Sequence, residues 1–304
     1  MLNKIRSVKV LNIIVGTLKK RIELKLFKYN KKMMNKLNIE KEDFEQFILL
    51  KEMNLKFNLD IKDIDIKELY LDNKNLGNDI LEYLTKIKFK KLKDLNLIKN
   101  NILDIKVLEN AKFKKLENLE LSDNHISNID VLEKVNFKEL TGLYLNGNNI
   151  SNIKVLEKVG FENLEELELE GNKICNIDIF EKVNFKELTF LYLNGNNISD
   201  IKVLEKVKFE NLEELDLGGN RICNIDILEK VKFKELTRLY LNGNNISDIK
   251  VLEKVKFEKL EKLYFGKIHI SNIDVLEKVN FRELKELDLG ENQLSDINIL
   301  ILQN

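Results

Sequence analysis

Two histidines and two cysteines are the residues of this chain best suited to metal binding, nucleophilic attack or proton transfer. His125 and His269 are 144 residues apart, and Cys175 and Cys223 are 48 residues apart. Both separations are multiples of a 24-residue period. If each period adds one strand at about 4.8 Å, the histidines lie roughly 25–30 Å apart and the cysteine Cα atoms roughly 10 Å apart. The histidines therefore cannot share a metal, and the cysteines cannot form a disulfide.

Other combinations of reactive side chains are equally unpromising. Lys173 and Arg221 take the histidine position in the two cysteine-containing periods, so no cysteine–histidine pair forms within a coil. Glu166, Glu168 and Glu170 are spaced about 6.5–7 Å apart along a strand, too far for one calcium ion. We therefore predict no enzyme, no metal site and no cofactor. The cysteines are interpreted as small buried turn residues kept reduced, which fits a cytoplasmic location.

The 24-residue period is most visible in phenylalanine. It returns without a slip at Phe89, Phe113, Phe137, Phe161, Phe185, Phe209, Phe233, Phe257 and Phe281. An unbroken period over nine turns predicts units of one shape that stack on copies of themselves, which is a solenoid.

Each unit combines two hydrophobic rhythms. Residues 143–145 alternate apolar and polar side chains, the period of a strand buried on one side. Asn148 follows, and then Ile150, Ile153 and Leu156 recur every three residues, the spacing of a 3₁₀ or short α-helical turn. A coil of strand, turn and helical return is the prediction.

The pattern resembles the leucine-rich repeat, as in Leu140-x-x-Leu143-x-Leu145-x-x-Asn148-x-Ile150-x-x-Ile153. The final Ile-x-x-Ile is similar to the SDS22-like subclass, although these units are about two residues longer. The resemblance implies an α/β, right-handed solenoid with a parallel sheet on its concave side and short helical or 3₁₀ turns on its convex side.

The same resemblance implies a structural role for the asparagine of each unit, whose amide can serve backbone groups of neighbouring coils. These positions are Asn100, Asn124, Asn148, Asn172, Asn196, Asn220, Asn244 and Asn292. One coil has Ile268 instead, and we expect a local irregularity at residues 266–270.

The period divides the chain into two parts. Residues 61–304 are predicted to form the solenoid, with a degenerate unit at 61–88 and nine units from residue 89, of which the last is incomplete. Residues 1–60 lack the period and are predicted to be amphipathic helices, for example at residues 8–37, that cap the solenoid. Residues 10–37 also resemble an F-box, which docks proteins onto ubiquitin-ligase scaffolds. The apolar C-terminal end, residues 299–304, predicts an uncapped edge that could self-associate.

Strand residues that point away from the core form the candidate binding surface, where tyrosines alternate with carboxylates. Tyrosine is a common anchor at interfaces, and the acids favour a basic ligand. The predicted contact residues are Glu120, Tyr144, Glu166, Glu168, Phe190, Tyr192, Glu214, Asp216, Arg238, Tyr240 and Tyr264. Simple solvated strand positions, copied by duplication, are the alternative interpretation.

Charge narrows the class of partner. Lys and Arg number 51, as do Asp and Glu, so the overall basic surplus that favours nucleic-acid binding is absent. No apolar run reaches the length of a membrane span. We predict a non-enzymatic scaffold that binds a protein with a basic segment on its concave face. The alternatives are an F-box-type substrate receptor of a ubiquitin ligase, an SDS22-like phosphatase regulator and a self-assembling protein.

Overall fold

The computed structural model describes residues 41–294. Within that range, residues 41–64 with 86–88 form one compact unit, and residues 65–85 with 89–294 form another. The predicted helices at residues 8–37, the F-box-like segment and the C-terminal residues 299–304 lie outside the described residues.

The smaller unit contains helix α1, Lys41–Phe57. Acidic side chains lie in its first turn and Lys56 lies in its last, which complements the helix dipole. The helix ends at Phe57, and the positive φ of 53° at the next residue, Asn58, allows Leu59 N–H to bond back to Asn54 O at 2.8 Å. This is a left-handed C-terminal cap of the Schellman type. A helical N-terminal module is thus present, as predicted.

The larger unit contains a single sheet of ten parallel strands in sequence order. Each strand has three residues and pairs in register with the strand 24 or 26 residues away. The strands are β1 Glu68–Tyr70, β2 Asp94–Asn96, β3 Asn118–Glu120, β4 Gly142–Tyr144, β5 Glu166–Glu168, β6 Phe190–Tyr192, β7 Glu214–Asp216, β8 Arg238–Tyr240, β9 Lys262–Tyr264 and β10 Glu286–Asp288. The predicted solenoid is confirmed, and β1 lies within the segment 61–88 that is predicted to be its degenerate first unit.

The core follows directly from the period. The central leucine of β1 to β9 is buried, and the repeating phenylalanines from Phe89 to Phe257 are at most 3% exposed. Phe113 lies 6.3 Å from both Phe89 and Phe137, centroid to centroid, so equivalent rings from successive coils touch. Identical units therefore stack because each one completes the apolar surface of its neighbour.

The return segments are mostly 3₁₀ turns, one of the two forms that the three-residue spacing predicts. The first repeat differs, because helix α2, Asp79–Lys86, takes the place of that turn and buries Ile80, Leu81 and Leu84. The 3₁₀ turns are Lys106–Asn110, Asp130–Glu133, Lys154–Glu157, Asp178–Glu181, Lys202–Glu205, Asp226–Glu229, Lys250–Glu253 and Asp274–Glu277. None of the helices in residues 41–294 combines the length and apolar character needed to cross a bilayer.

The asparagines bond to neighbouring coils. Asn172 Nδ2 donates to Leu145 O at 2.9 Å and to Leu169 O at 3.1 Å, and Asn172 Oδ1 accepts from Ile150 N–H at 2.9 Å. The same three bonds occur at each equivalent residue from Asn124 to Asn244. Each asparagine thus joins its own coil to the one before it.

The coil that carries Ile268 keeps the path of its backbone. Lys267 has the positive φ of this turn, 56°, and its N–H bonds to Gly290 O at 2.8 Å. Ile268 is 2% exposed and packs into the core. Because the asparagine normally accepts from the coil before it, the group that loses its acceptor is Ile246 N–H. We therefore expect the irregularity at Ile246, one coil earlier than residues 266–270.

We expect the Ile246 amide to exchange with solvent about 3–10-fold faster than the equivalent amides Ile150 and Ile198, because one hydrogen bond is worth about 1 kcal/mol. Hydrogen exchange with residue resolution measures this directly. Ile268→Asn should restore protection at Ile246. Equal exchange at all three amides in the unmodified chain would contradict the assignment.

The cysteines differ from their prediction. Cys175 and Cys223 are free, as expected, but they are exposed rather than buried. The coil buries Ile174 and Ile177 and leaves the two residues between them exposed, because two inward positions already fill the turn.

Candidate functional site

The first and third residues of the strands form one face of the sheet, which we call the open face. In β3 to β9 the middle residue is buried, whereas most flanking residues are half-buried. Every predicted contact residue lies on this face. First positions carry Glu166, Phe190, Glu214 and Arg238; third positions carry Glu120, Tyr144, Glu168, Tyr192, Asp216, Tyr240 and Tyr264.

Tyr144 leans across the sheet instead of standing upright. Its hydroxyl donates to Glu166 Oε2 at 2.7 Å, one strand further on. The ring lies over Gly142, where an added Cβ would be only 2.5 Å from Tyr144 Oη. Tyr264 donates to Glu286 in the same diagonal way. The absence of a side chain at residue 142 leaves room for the Tyr144 ring, and the bond to Glu166 sets its direction.

A second cluster occupies β6 to β9. The guanidinium of Arg238 pairs with the buried Glu214 and lies 6.0 Å from the centroid of the Phe190 ring. Tyr240 and Tyr264 stack at 4.6 Å with an interplanar angle of 14°. Glu214 is thus occupied by an internal cation, and its predicted role as a contact residue stays a prediction.

The third-position acids at the centre of the open face are held by neutral donors. Glu120 accepts from Ser122 N–H at 2.8 Å, Asp216 accepts from Gly218 N–H at 2.8 Å, and Glu168 accepts from Asn146 Nδ2. Across residues 41–294, none of these three acids forms an ion pair. Acids elsewhere on or beside this face do, in the pairs Glu117–Lys93, Glu214–Arg238, Glu261–Lys285 and Glu286–Lys262.

Part of the repeat region matches a known family. The family described as Leucine Rich repeats (2 copies) matches residues 186–230 and 234–278. The chain contains leucine-rich repeats. No curated protein sequence is significantly similar to the chain.

Solved structures show the same leucine-rich-repeat solenoid. An internalin, InlF, from Listeria monocytogenes is similar with a TM-score of 0.60 and 26% identity, over 83% of this chain and 78% of that one. Internalin C2 from the same organism has a TM-score of 0.54 and 23% identity, over 80% and 92%. The plant peptide hormone receptor RGFR1, solved with RGF2, has a TM-score of 0.53 and 20% identity, over 70% and 34%. At these low sequence identities, the similarity shows the fold and does not indicate a partner.

Burial determines the pKa shifts of the central acids on the open face. Burial raises the pKa of Glu168 to about 7, opposed by the Asn146 hydrogen bond and reinforced by Glu166 and Glu120. Burial likewise raises the pKa of Asp216 to about 6, although the Gly218 N–H opposes it. These acids are partly desolvated without a compensating cation, so their charged forms are costly in the free chain.

The pKa values of the other third-position residues in β3 to β7 are also raised. Burial raises the pKa of Glu120, against the Ser122 hydrogen bond. Burial, together with neighbouring glutamates, also raises the pKa of Tyr144 and Tyr192, so both hydroxyls stay neutral donors. All the third-position residues of β3 to β7 are therefore partly desolvated.

The residues first considered for chemistry are not brought together. His125 and His269 are both exposed in turns six coils apart, and the cysteines are exposed in turns two coils apart. Among the residues that the structure describes, no group of three His, Cys, Asp or Glu side chains could hold a metal ion.

Sequence reasoning missed several residues that organise the open face. Gly142 makes room for Tyr144, and Ser122, Asn146 and Gly218 hold the central acids. A tyrosine followed 22 residues later by glutamate was a usable signal for the Tyr144–Glu166 bond, because strand register is fixed by the period. The pairing of Arg238 with Glu214 had a similar signal at 24 residues.

Proposed function

We propose that the chain is a non-enzymatic scaffold that binds a partner protein through a basic segment on its open face. The observation that carries this proposal is the row of central acids, Glu120, Glu168 and Asp216, which are partly desolvated and lack a cation within residues 41–294. A ligand that supplies positive charge there offsets a cost already present in the free chain.

Rigidity supports the same function. The open face is built from strands whose register is fixed by stacking, and Tyr144 is held by its bond to Glu166. A surface already in its bound shape loses little conformational entropy when a partner docks. Half-buried tyrosines between the acids supply apolar contact area with polar tips.

Affinity capture with the tagged full chain and quantitative mass spectrometry tests this function. The test variant carries Glu120→Gln, Glu168→Gln and Asp216→Asn. The control variant carries Glu162→Gln, Glu210→Gln and Glu258→Gln, which are exposed, lie at equivalent positions two coils apart and change net charge by the same amount. We expect partners to be depleted about tenfold or more by the first variant only. Equal depletion by both, or by neither, would reject the open face as the binding site.

Narrower predictions from the sequence stay proposals. Docking to a ubiquitin-ligase scaffold involves residues 10–37, and self-association involves residues 299–304, both beyond the described range. An SDS22-like role in phosphatase regulation and a cytoplasmic location stay open in the same way. Capture with a chain that lacks residues 1–60 separates the first from the main proposal: a ligase scaffold recovered only with the intact chain would support the receptor role.

A further inference from the structure

The spacing of the central acids defines the shape of the ligand as well as its charge. Glu120, Tyr144, Glu168, Tyr192 and Asp216 are Cα partners in successive strands, so they form one row across β3 to β7. At about 4.8 Å per strand, successive acids in this row lie about 9.6 Å apart, with one tyrosine between each pair.

The tyrosine between the first two acids leaves the row accessible. Tyr144 is bent towards Gly142 and Glu166, which are first-position residues, and its hydroxyl is bonded there. Its hydroxyl is therefore directed away from Glu120 and Glu168. A chain that runs along the row would meet acid, aromatic ring and acid in turn.

Among the regular backbones, the polyproline II helix has the same-face spacing nearest to this interval. A β-strand places same-face side chains about 6.6–6.8 Å apart, and an α-helix places residues i and i+7 about 10.5 Å apart. A polyproline II helix has three residues per turn and rises about 3.1 Å per residue, so residues i, i+3 and i+6 share a face at about 9.3 Å. Aromatic side chains are also the usual lining of sites that bind polyproline II segments.

We propose that the open face binds a polyproline II segment that carries a basic side chain at every third residue. The segment runs across the strands, and its three basic residues meet Glu120, Glu168 and Asp216. Residues between them that lack charge pack on Tyr144 and Tyr192. This inference rests on the proposed function and adds the conformation and register of the partner.

Three synthetic peptides of identical composition test the register. They contain the same arginines, prolines and alanines, with arginine at every second, every third or every fourth residue. Fluorescence polarisation against the full chain is expected to show at least tenfold tighter binding for the every-third peptide. The Glu120→Gln, Glu168→Gln, Asp216→Asn variant should abolish that preference, and the Glu162→Gln, Glu210→Gln, Glu258→Gln variant should keep it.

A charge swap provides a second test of the same register. Glu168→Arg should weaken binding of the every-third peptide, and replacing the central arginine of that peptide with glutamate should restore it. Equal binding of all three spacings, lost only in the open-face variant, would overturn the register and leave the proposed function standing. Binding of no peptide, or equal loss in both triple variants, would also overturn the inference; the capture experiment then decides the proposed function separately.

Discussion

Asn172→Ala is expected to lower the free energy of unfolding by about 2–4 kcal/mol, the largest effect of any single polar substitution considered for this chain. Asn172 is 6% exposed, and its three shortest amide bonds reach backbone groups in two coils. The decisive loss is the acceptor for Ile150 N–H. A buried donor without a partner costs about 1–3 kcal/mol, and the remaining loss comes from two weakened carbonyl contacts and a small cavity.

The two carbonyls lose less than the amide does, because each keeps a second asparagine donor. Leu145 O still accepts from Asn148 Nδ2 at 3.0 Å, and Leu169 O still accepts from Asn196 Nδ2 at 2.9 Å. Urea denaturation gives the stability change, and hydrogen exchange at Ile150 assigns it to the orphaned donor. The exposed Asn136→Ala is the control, with an expected change within about 0.5 kcal/mol. A small loss at Asn172, or unchanged exchange at Ile150, would show that the asparagines do not join the coils.

Glu168→Gln is expected to stabilise the chain at pH 8 by about 1–2 kcal/mol. A shift of one pKa unit corresponds to about 1.36 kcal/mol, and the full shift is discounted because Glu168 is only half-buried. Burial raises its pKa from 4.5 to about 7. Between these values the folded chain holds the proton more tightly than the unfolded chain does. The free energy of unfolding therefore falls as pH rises through this window.

The glutamine variant cannot ionise, so the difference should vanish below pH 4.5 and be complete above pH 7. Thermal or urea unfolding of both chains across this range measures the effect, with the exposed Glu162→Gln as control. A variant less stable than the unmodified chain at pH 8 would contradict the assigned desolvation. Affinity for a basic segment should change in the opposite direction, because only the carboxylate attracts it, and binding should strengthen from pH 5 to pH 8.

The opposite pH dependences of stability and of ligand affinity have the same physical cause. Desolvated acids at Glu168 and Asp216 weaken the folded chain when they ionise, and the same ionised groups are the ones a cationic ligand would favour. Glu214 shows the contrasting arrangement, because Arg238 already supplies the cation. The position of internal cations therefore separates the part of the open face that is satisfied from the part that is not.

The period by itself determined the solenoid, its strands, its short helical turns and the set of side chains on the open face. The reason is that a 24-residue repeat places each residue beside its own equivalent in the next coil, so Glu120, Tyr144 and Glu168 share a row whatever their side chains do. The period also placed the asparagines at equivalent positions, and the resemblance to leucine-rich repeats implied the bonds that their amides make between coils.

The tertiary structure alone decided where the long side chains point and which charges are paired. Tyr144 leans over Gly142 and reaches diagonally to Glu166, and Arg238 reaches directly across to Glu214. Both side chains find their partner on a strand of the neighbouring repeat. Cys175 is exposed because Ile174 and Ile177 occupy the inward positions of its turn. Repetition sets the positions of backbones, whereas competition for space and partners among neighbouring side chains sets the chemistry of the surface.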